Sequence, residues 1–300
     1  MTGGLELPPG YEPPAGAFDR WREVAPGVLV RRHRVLDLNV TVVLGDERAL
    51  VVDTHMHDGH ARGLVAAVRE VTALPWVVVD THGHFDHSFG NATFAREQPG
   101  LEIWGHEGCR RDLKRFGPLQ RTLAAQGLRD AGRPDEAEAI EDVEILAPNR
   151  TFTADAELDL GGRAVVLHHP GRGHTGHDAV VDVPDAGVTV AGDLVEQGAP
   201  PSFGDAYPLE WPGTLDVLLP RLRPVVVPGH GDVVDPAFVA SQRDDLAVVA
   251  DVARSLPADA GDAVLLRAAT RLPVGRAAGL EALRRHLAVA AGRNEPPLPD

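Results

Sequence analysis

Short apolar runs, bounded by glycine, proline and charged residues, predict β-strands toward the start of the chain. Such runs are GVLVRRHRV, NVTVVLG and ALVVDT, and the residues DER after Gly45 predict a hairpin between the last two. The next run, PWVVVD, ends at Asp80 and is almost wholly apolar, which is typical of a strand that is buried on both faces. LEIWG predicts one further strand. Together these runs predict a sheet in this part of the chain.

Helical spacing of apolar residues separates several of these strands. From His57 to Thr72 apolar residues recur every three or four positions, which predicts one helix. A second helix is predicted from Ser88 to Glu97. Residues 106–141 are charged, rich in alanine and arginine and free of strand signals. We therefore expect a helical segment there that interrupts the β pattern.

The strand pattern returns at Thr151 and continues to the last part of the chain. TFTADAELDL and RAVVLHHP flank a turn at Gly161-Gly162, and DAVVDVP, VTVAGD and VVVPGHGD follow. Apolar spacing then predicts helices over residues 236–254 and 280–291. Strands, helices, strands and helices in this order predict two β-rich halves that pack face to face with helices outside.

Composition limits the classes of partner. The net charge is −15 without a long basic run, which argues against a nucleic acid or an anionic membrane surface as the main partner. Cys109 is the single cysteine, so an intramolecular disulfide cannot form and a reducing compartment is permitted. No signal-peptide pattern and no apolar run near the ~20 residues that span a bilayer are present. We expect a soluble cytoplasmic protein with a small-molecule substrate, in an oligomeric state that the sequence does not give.

Candidate metal ligands stand in the stretch THGHFDH, directly after a predicted strand. His82 and His84 are two residues apart, so in an extended or turn conformation both can point the same way and share one metal ion. Asp86 and His87, beyond the bend, can face a second ion. Imidazole and carboxylate ligands suit zinc, with iron or manganese as alternatives.

Three further ligand-type residues follow strand-like runs. His174 lies in the glycine-rich stretch GRGHTG, Asp193 ends VTVAGD, and His230 follows VVVPG. Glycine beside each of them lets the backbone bend, so that the side chain can enter a shared site.

The order of these motifs resembles that of the metallo-β-lactamase superfamily. HGHFDH, GRGHTG, AGD and PGHG occur in the family's order, and the resemblance extends from about Val24 to Ala240. It implies the α+β class and a four-layer αββα sandwich over residues 24–240. An irregular arm over 1–23, a helical insertion over about 106–141 and a C-terminal helical extension over 241–300 complete the expected organisation.

The resemblance also implies a dinuclear centre. His82, His84 and His174 would hold the first metal ion, and Asp86, His87 and His230 would hold the second. Asp193 would bridge both ions, and we expect two Zn²⁺.

A second histidine cluster lies earlier, in THMHDGH. It lacks an Asp beside its third histidine, because Asp58 stands one position too early. We expect His57 and His60 to cap or decorate the following helix, and Asp53 to support the site through hydrogen bonds. The alternative is that His55 or His57 reaches the cleft behind the ligands or toward the substrate. A separate third metal site is not expected.

The implied centre defines a reaction. Two divalent ions about 3.5–4 Å apart lower the pKa of a shared water toward ~7, and the resulting hydroxide attacks a carbonyl or phosphoryl group. Asp86 is the expected catalytic residue, since it can bind metal, orient the water and move a proton. The resemblance implies that a bridging Asp at position 193 is typical of thioesterases, lactonases and phosphodiesterases. We therefore expect hydrolysis of a small ester, thioester, lactone or amide.

Two other activities remain open. β-Lactamases of this fold are implied to have Cys or Ser where Asp193 stands, which disfavours that activity without removing it. Persulfide dioxygenases resemble the same family but use one iron ion, so a mononuclear iron oxidoreductase is the second alternative.

An aromatic stretch, PPSFGDAYPLEW, follows Asp193 and predicts an apolar wall for a small organic substrate. Phe203, Tyr207 and Trp211 are its candidate contacts. The alternative is that they pack onto the edge of the sandwich.

The assignment of the two clusters predicts unequal effects of substitution. His82→Ala or Asp86→Ala should abolish hydrolysis while leaving the fold intact, because each removes a metal ligand. His60→Ala should cost little activity. Turnover and circular dichroism of the three variants test this, and equal loss in His60→Ala and His82→Ala would contradict the assignment.

Overall fold

Two β-sheets carry the fold. The structure is a computed structural model that describes residues 18–293 of the chain. Seven strands form the first sheet in sequential order. They are β1 (Trp21–Ala25), β2 (Val28–Arg32), β3 (Asn39–Leu44), β4 (Ala49–Val52), β5 (Trp76–Val79), β6 (Glu102–His106) and β7 (Arg150–Phe152). Strands β1 to β4 pair antiparallel, whereas β4 to β7 pair parallel.

The parallel strands need crossover connections, and helices supply them. These helices are α1 (Asp58–Val71), α2 (Phe85–Ser88), α3 (Asn91–Glu97), α4 (Glu107–Asp130) and α5 (Pro134–Glu141). The helix predicted from His57 to Thr72 is confirmed as α1. The one predicted from Ser88 to Glu97 is interrupted at Gly90, where a Cβ atom would lie 1.9 Å from the carbonyl oxygen of Thr54. Residues 106–141 contain α4 and α5, as the helical prediction for that segment required.

The second sheet has five strands in the order β12-β11-β10-β9-β8. Only its β11–β12 pair is parallel. The strands are β8 (Asp155–Asp159), β9 (Ala164–His168), β10 (Val180–Val183), β11 (Val188–Glu196) and β12 (Val225–His230). Its helices are α6 (Trp211–Leu218), α7 (Pro236–Arg254), α8 (Asp262–Ala269) and α9 (Arg276–Ala290), with a short 3₁₀ helix at Leu219–Arg221.

Burial places the layers. Strand β5 shows why its run is apolar without alternation: Val77 and Val79 pack in the core between the sheets, whereas Trp76 and Val78 pack against helices. Side chains of both sheets meet in that central core, and two outer cores join the first sheet to α1, α3, α4 and α5 and the second to α6–α9. The predicted α+β sandwich with αββα layers is confirmed.

Two of the expected domain boundaries lie inside elements of secondary structure. The arm expected over 1–23 lies mostly outside the described residues, and its last part enters β1, which begins at Trp21. The limit expected between residues 240 and 241 falls inside α7, a continuous helix from Pro236 that is capped by Asp235. The last predicted helix begins earlier than expected, at Arg276, and α8 was not predicted.

None of the helices within residues 18–293 has both the length and the apolar character that a membrane span needs.

Candidate metal centre

The ligand-type residues converge where several strands end. His82, His84, Asp86 and His87 occupy the segment after β5 and the short helix α2. His174 follows β9, Asp193 lies near the end of β11, and His230 is the last residue of β12. Both sheets therefore deliver donors to one place.

Four of these residues form a first donor set. His82, His84, His174 and Asp193 each offer one atom, and these atoms lie within 4.8 Å of one another. Nε2 of His174 lies 2.9 Å from Nδ1 of His84 and 3.4 Å from Oδ2 of Asp193. Nε2 of His82 lies 3.7 Å from the same carboxylate oxygen.

The other three form a second donor set. The Nε2 atoms of His87 and His230 lie 3.2 Å apart, and they are 3.6 and 3.4 Å from Oδ2 of Asp86. Asp193 faces this set as well, with Oδ1 3.3 Å from His87 and Oδ2 3.3 Å from His230. Its carboxylate thus lies between the two sets.

Ring orientation makes the first set convergent. The ring of His84 stands at 81° to that of His82 and at 83° to that of His174, and His82 and His174 stand at 89°. Because the lone pair of an imidazole nitrogen lies in the ring plane, crossed rings can aim their lone pairs at one point. His87 and His230 cross similarly, at 78°.

Hydrogen bonds on the outer ring atoms fix these orientations. Nδ1 of His87 faces Oδ2 of Asp53 at 2.8 Å, and Nδ1 of His230 donates to the carbonyl oxygen of Leu36 at 2.7 Å. Nε2 of His84 faces Oδ1 of Asp205 at 3.0 Å. Partners of this kind hold the tautomer that leaves the inner nitrogen available to a metal.

Asp53 supports the ligand loop as well as His87. Its carboxylate accepts hydrogen bonds from the backbone N–H and the hydroxyl of Thr81, at 2.8 and 2.9 Å. The sequence prediction for Asp53 named this kind of support. Asp205 and Glu196, whose Oε1 lies 3.7 Å from Nδ1 of His174, were not predicted. Neither belongs to a ligand motif, so only the tertiary fold identifies them as partners of the histidines.

Buried atoms without partners point to the centre of the site. Nε2 of His82 and Oδ1 of Asp193 are buried and make no hydrogen bond in the structure. Unsatisfied buried polar atoms are costly, and a cation between them would satisfy both. Nitrogen and oxygen donors in sets of three and four suit a divalent transition metal.

Electrostatics separate the histidines. Burial lowers the pKa of His82 well below its usual value and that of His174 to about 4. Burial acts in the same direction on His87 and His230, but the neighbouring carboxylates, Asp193 first, raise the pKa of both well above 6.5. The pKa of Asp86 is lowered to about 2, because His87 and His230 outweigh its burial. His87 and His230 thus lie among carboxylates that favour their charged form, whereas burial favours the neutral form of His82 and His174.

Exposure differs among the ligand-type residues. The side chains of His84, His230 and Asp86 are 23%, 15% and 11% exposed, whereas those of His82 and His87 are buried.

The predicted aromatic wall is wrong for two of its three residues. Phe203 and Trp211 are completely buried and pack into the core between the second sheet and its helices. Trp211 lies behind the site, 5.7 Å from the His174 ring, and donates a hydrogen bond to the carbonyl oxygen of Leu194. Tyr207 is partly exposed and lies against the guanidinium groups of Arg172 and Arg285.

The earlier histidine cluster has a different geometry. His57, His60 and Glu136 also place donor atoms within 4.8 Å, but the rings of His57 and His60 stack at 26°. Stacked rings direct their lone pairs side by side rather than at one point. Nδ1 of His57 also accepts the backbone N–H groups of Gly59 and His60 as the N-cap of α1, which leaves its Nε2 proton facing Glu136 at 2.7 Å. The prediction that this cluster caps a helix is confirmed for His57.

His55 does not reach the ligand sets. Its buried ring lies between those of His33 and His60, with centroid distances of 4.6 and 4.4 Å and interplanar angles of 84° and 36°. Nδ1 accepts the backbone N–H of Met56, so this ring is part of a row of histidines beside α1. Among residues 18–293, no hydrogen bond joins this ring to a ligand-type residue, and the alternative that placed it behind the ligands stays a prediction.

This row predicts a loss of stability in acid. Burial lowers the pKa of His33 to about 3 and that of His60 to about 4, so both are neutral in the folded chain. The unfolded chain takes up protons below about 6.5, so the free energy of unfolding falls as pH drops from there toward 4, by at most about 1.4 kcal/mol per pH unit and group. His60→Gln should make this slope shallower in urea unfolding of the chelator-treated protein. His168→Gln, on the second sheet, is the matched control, and equal slopes in all three proteins would contradict the prediction.

Gly229 predicts a steric effect on Asp193. A Cβ atom at Gly229 would lie 1.8 Å from Oδ1 of Asp193, whereas one at Gly213 in α6 would meet nothing within 4 Å. Gly229→Ala should displace the carboxylate and reduce the metal bound per chain, at a cost in stability of about 1–3 kcal/mol. Elemental analysis and thermal unfolding test this, with Gly213→Ala as control. Wild-type metal content in Gly229→Ala would exclude the proposed position of Asp193 between the ions.

The sequence is similar to known proteins of one family. The family model of the metallo-beta-lactamase superfamily matches residues 33–230. The metallo-beta-lactamase type 2 of Bacillus cereus is 30% identical over 135 residues, which are 43% of this chain and 52% of that protein. The protein of the same name from Bacillus sp. (strain 170) is 35% identical over 92 residues, 29% of this chain and 36% of that protein. The chain thus spans about half or less of the length of these curated relatives.

Solved structures agree in fold. A metallo-beta-lactamase from Pontibacter korlensis has a TM-score of 0.57 and 22% identity, over 76% of this chain and 98% of its own. The DIM-1 metallo-beta-lactamase has a TM-score of 0.57 and 20% identity, over 75% and 95%. The family model covers more than half of the chain and ends on His230, the last residue of the two donor sets. The chain therefore belongs to the metallo-β-lactamase superfamily, and its His/Asp clusters are groups that could bind metal.

Proposed function

We propose that the chain is a hydrolase that holds two divalent metal ions, zinc in the first place, and acts on a small ester, thioester, lactone or amide. The observation that carries this proposal is the position of Asp193, whose carboxylate lies within 3.3–3.7 Å of histidine donors of both sets. One carboxylate shared between two donor sets can bridge a pair of neighbouring ions.

The residues would divide between the ions as follows. His82, His84 and His174 would hold the first ion, and Asp86, His87 and His230 the second, with Asp193 on both. Ions held there supply a water of lowered pKa and polarise the oxygen of a scissile carbonyl group. The outer partners Asp53, Asp205 and the carbonyl oxygen of Leu36 keep the imidazole rings in place during turnover.

Asp86 is the residue that we assign to proton movement. Its side chain is 11% exposed, and its pKa is held to about 2, so it is ionised at neutral pH. A carboxylate in that position can accept a hydrogen bond from the attacking water, orient it, and pass its proton on to the leaving group.

The proposed substrate class rests on the carboxylate at position 193. Family resemblance associates an Asp at this position with thioesterase, lactonase and phosphodiesterase members. Asp205 lies beside His84 and pairs with it at 3.0 Å.

β-Lactam hydrolysis is the second candidate. It is favoured by the similarity to two curated relatives, each a metallo-beta-lactamase type 2. Both matches cover about half or less of those proteins, so the activity has to be measured on this chain.

Metal content and turnover test the proposal together. Purified from medium without added metal, the chain should contain about two zinc ions and hydrolyse at least one compound among chromogenic esters, thioesters, lactones and β-lactams. Asp193→Asn keeps the shape but removes the shared charge, so it should lower the metal content, and it should lower metal affinity and turnover by more than the roughly 10–100-fold typical of outer partners. Asp155→Asn, an exposed carboxylate of β8, is the control.

Other results would redirect the assignment. About one iron ion per chain, with oxygen uptake on persulfides, would replace the hydrolase by the oxidoreductase alternative. Wild-type metal content in Asp193→Asn would contradict the role of Asp193 between two ions.

A further inference from the structure

The helical insertion contacts the peptide between two ligands of the first donor set. Gly83 stands between His82 and His84, and its backbone N–H donates to Nε2 of His177 at 3.1 Å. Its carbonyl oxygen accepts from Nε2 of Gln120, in α4, also at 3.1 Å. The N–H and the carbonyl oxygen of Gly83, which belong to the peptide links on its two sides, are therefore both held by side chains outside the ligand loop.

The tautomer of His177 extends this contact back to α4. Because Nε2 accepts a hydrogen bond from Gly83, the ring proton must be on Nδ1. Nδ1 lies 3.4 Å from Oδ2 of Asp112, an ion-pair distance without hydrogen-bond geometry, and the histidine is only 3% exposed. Burial raises the pKa of Asp112, but His177 and Arg111 lower it by more.

Glycine residues permit the close approach of these elements. A Cβ atom at Gly83 would lie 3.1 Å from Nε2 of His177 and 3.4 Å from Leu113 in α4. A Cβ atom at Gly108, in the first turn of α4, would lie 2.7 Å from Cβ of His177. The ring of His177 thus fits between α4 and the ligand loop only because both sides lack a side chain at the contact.

We propose that α4 sets the orientation of His82 and His84 by holding the Gly83 peptide, through Asp112 and His177 on its N–H and through Gln120 on its carbonyl oxygen. This inference rests on the proposed metal centre, and it makes His177, Asp112 and Gln120 positioning residues. It also gives a role to the helical insertion and to the second histidine of GRGHTGH.

The physical reason is that the two hydrogen bonds hold both peptide links between the ligands. Rotation of either link, His82–Gly83 or Gly83–His84, changes the direction of the ligand side chain next to it, so the rings leave their crossed arrangement. Ligand sites tolerate errors of only about 0.5 Å before they lose function, so these two hydrogen bonds have a large effect.

The test compares two substitutions of His177. His177→Leu removes the acceptor for Gly83, whereas His177→Gln keeps an acceptor oxygen and an amide donor that can face Asp112. Zinc affinity, measured by competition with a chromogenic chelator, should weaken about 10- to 100-fold in His177→Leu, as is typical when a partner behind a ligand is lost. His177→Gln should restore most of that loss. The visible spectrum of the cobalt-loaded protein should change in His177→Leu and return toward wild type in His177→Gln.

A second pair of variants covers the case in which His177→Leu does not fold. Gln120→Glu keeps the size of the side chain but places a carboxylate opposite the Gly83 carbonyl oxygen, so zinc affinity should fall. Asp112→Ala should weaken zinc binding, and Asp130→Ala, the same change at the far end of α4, should not. Thermal unfolding of the metal-free proteins shows whether a variant is merely less stable.

The outcomes separate this inference from the proposed function. Wild-type zinc affinity and an unchanged cobalt spectrum in His177→Leu and Gln120→Glu would overturn the inference while leaving the metal centre in place. Equal weakening in His177→Leu and His177→Gln, together with equal loss of stability of the metal-free protein, would also overturn it, because the role of His177 would then be structural. A wild-type chain that takes up neither zinc nor cobalt would contradict the proposed function, and this inference with it.

Discussion

The structure depends on the buried carboxylate of Asp193, which lies between two sets of imidazole donors. A buried charge is tolerated only where opposite charge or metal surrounds it, so the histidines around Asp193 together offset its charge as well as offering ligands. The same carboxylate constrains its neighbours. Residue 229 has to be glycine, because a Cβ atom there would lie 1.8 Å from Oδ1. Strands β11 and β12 are consequently fixed next to each other at the level of the centre, where they pair in parallel.

Segments next to both sheets support the histidines from behind. The loop before β3 supplies the carbonyl oxygen of Leu36 to His230, and the segment after β4 supplies Asp53 to His87. The loop after β11 supplies Asp205 to His84, and α9 in turn holds that loop through Arg285, which donates to the backbone carbonyl oxygen of Asp205. The donor geometry is thus a property of the whole fold, and a change far from the ligands can reach the centre through one hydrogen bond.

The sequence contained the seven ligand-type residues, because their spacing and the strand-like run before each of them are local. It did not predict the roles of Asp205 and Gln120, because their hydrogen-bond partners are 121 and 37 positions away along the chain. It also misplaced Phe203 and Trp211, since an aromatic residue after a strand can face a cleft or a core and only tertiary packing decides between them. Strand β5 was predictable because burial on both faces leaves an apolar run, whereas α8, at eight residues, carries a weak periodic signal.

Two histidine clusters in one chain show why residue type alone does not define a metal site. Both place imidazole and carboxylate atoms within 4.8 Å of one another, and both begin shortly after a strand that is followed by Asp-Thr. In the first donor set the rings cross at 81–89°, so that their in-plane lone pairs meet, and their outer nitrogens face carboxylates or a hydroxyl group. Beside α1 the rings of His57 and His60 stack at 26°, and the inner nitrogen of His57 is already occupied by backbone N–H groups. The angle between the rings and the partner of each ring nitrogen, rather than the distance between donors, separates a metal centre from a helix cap.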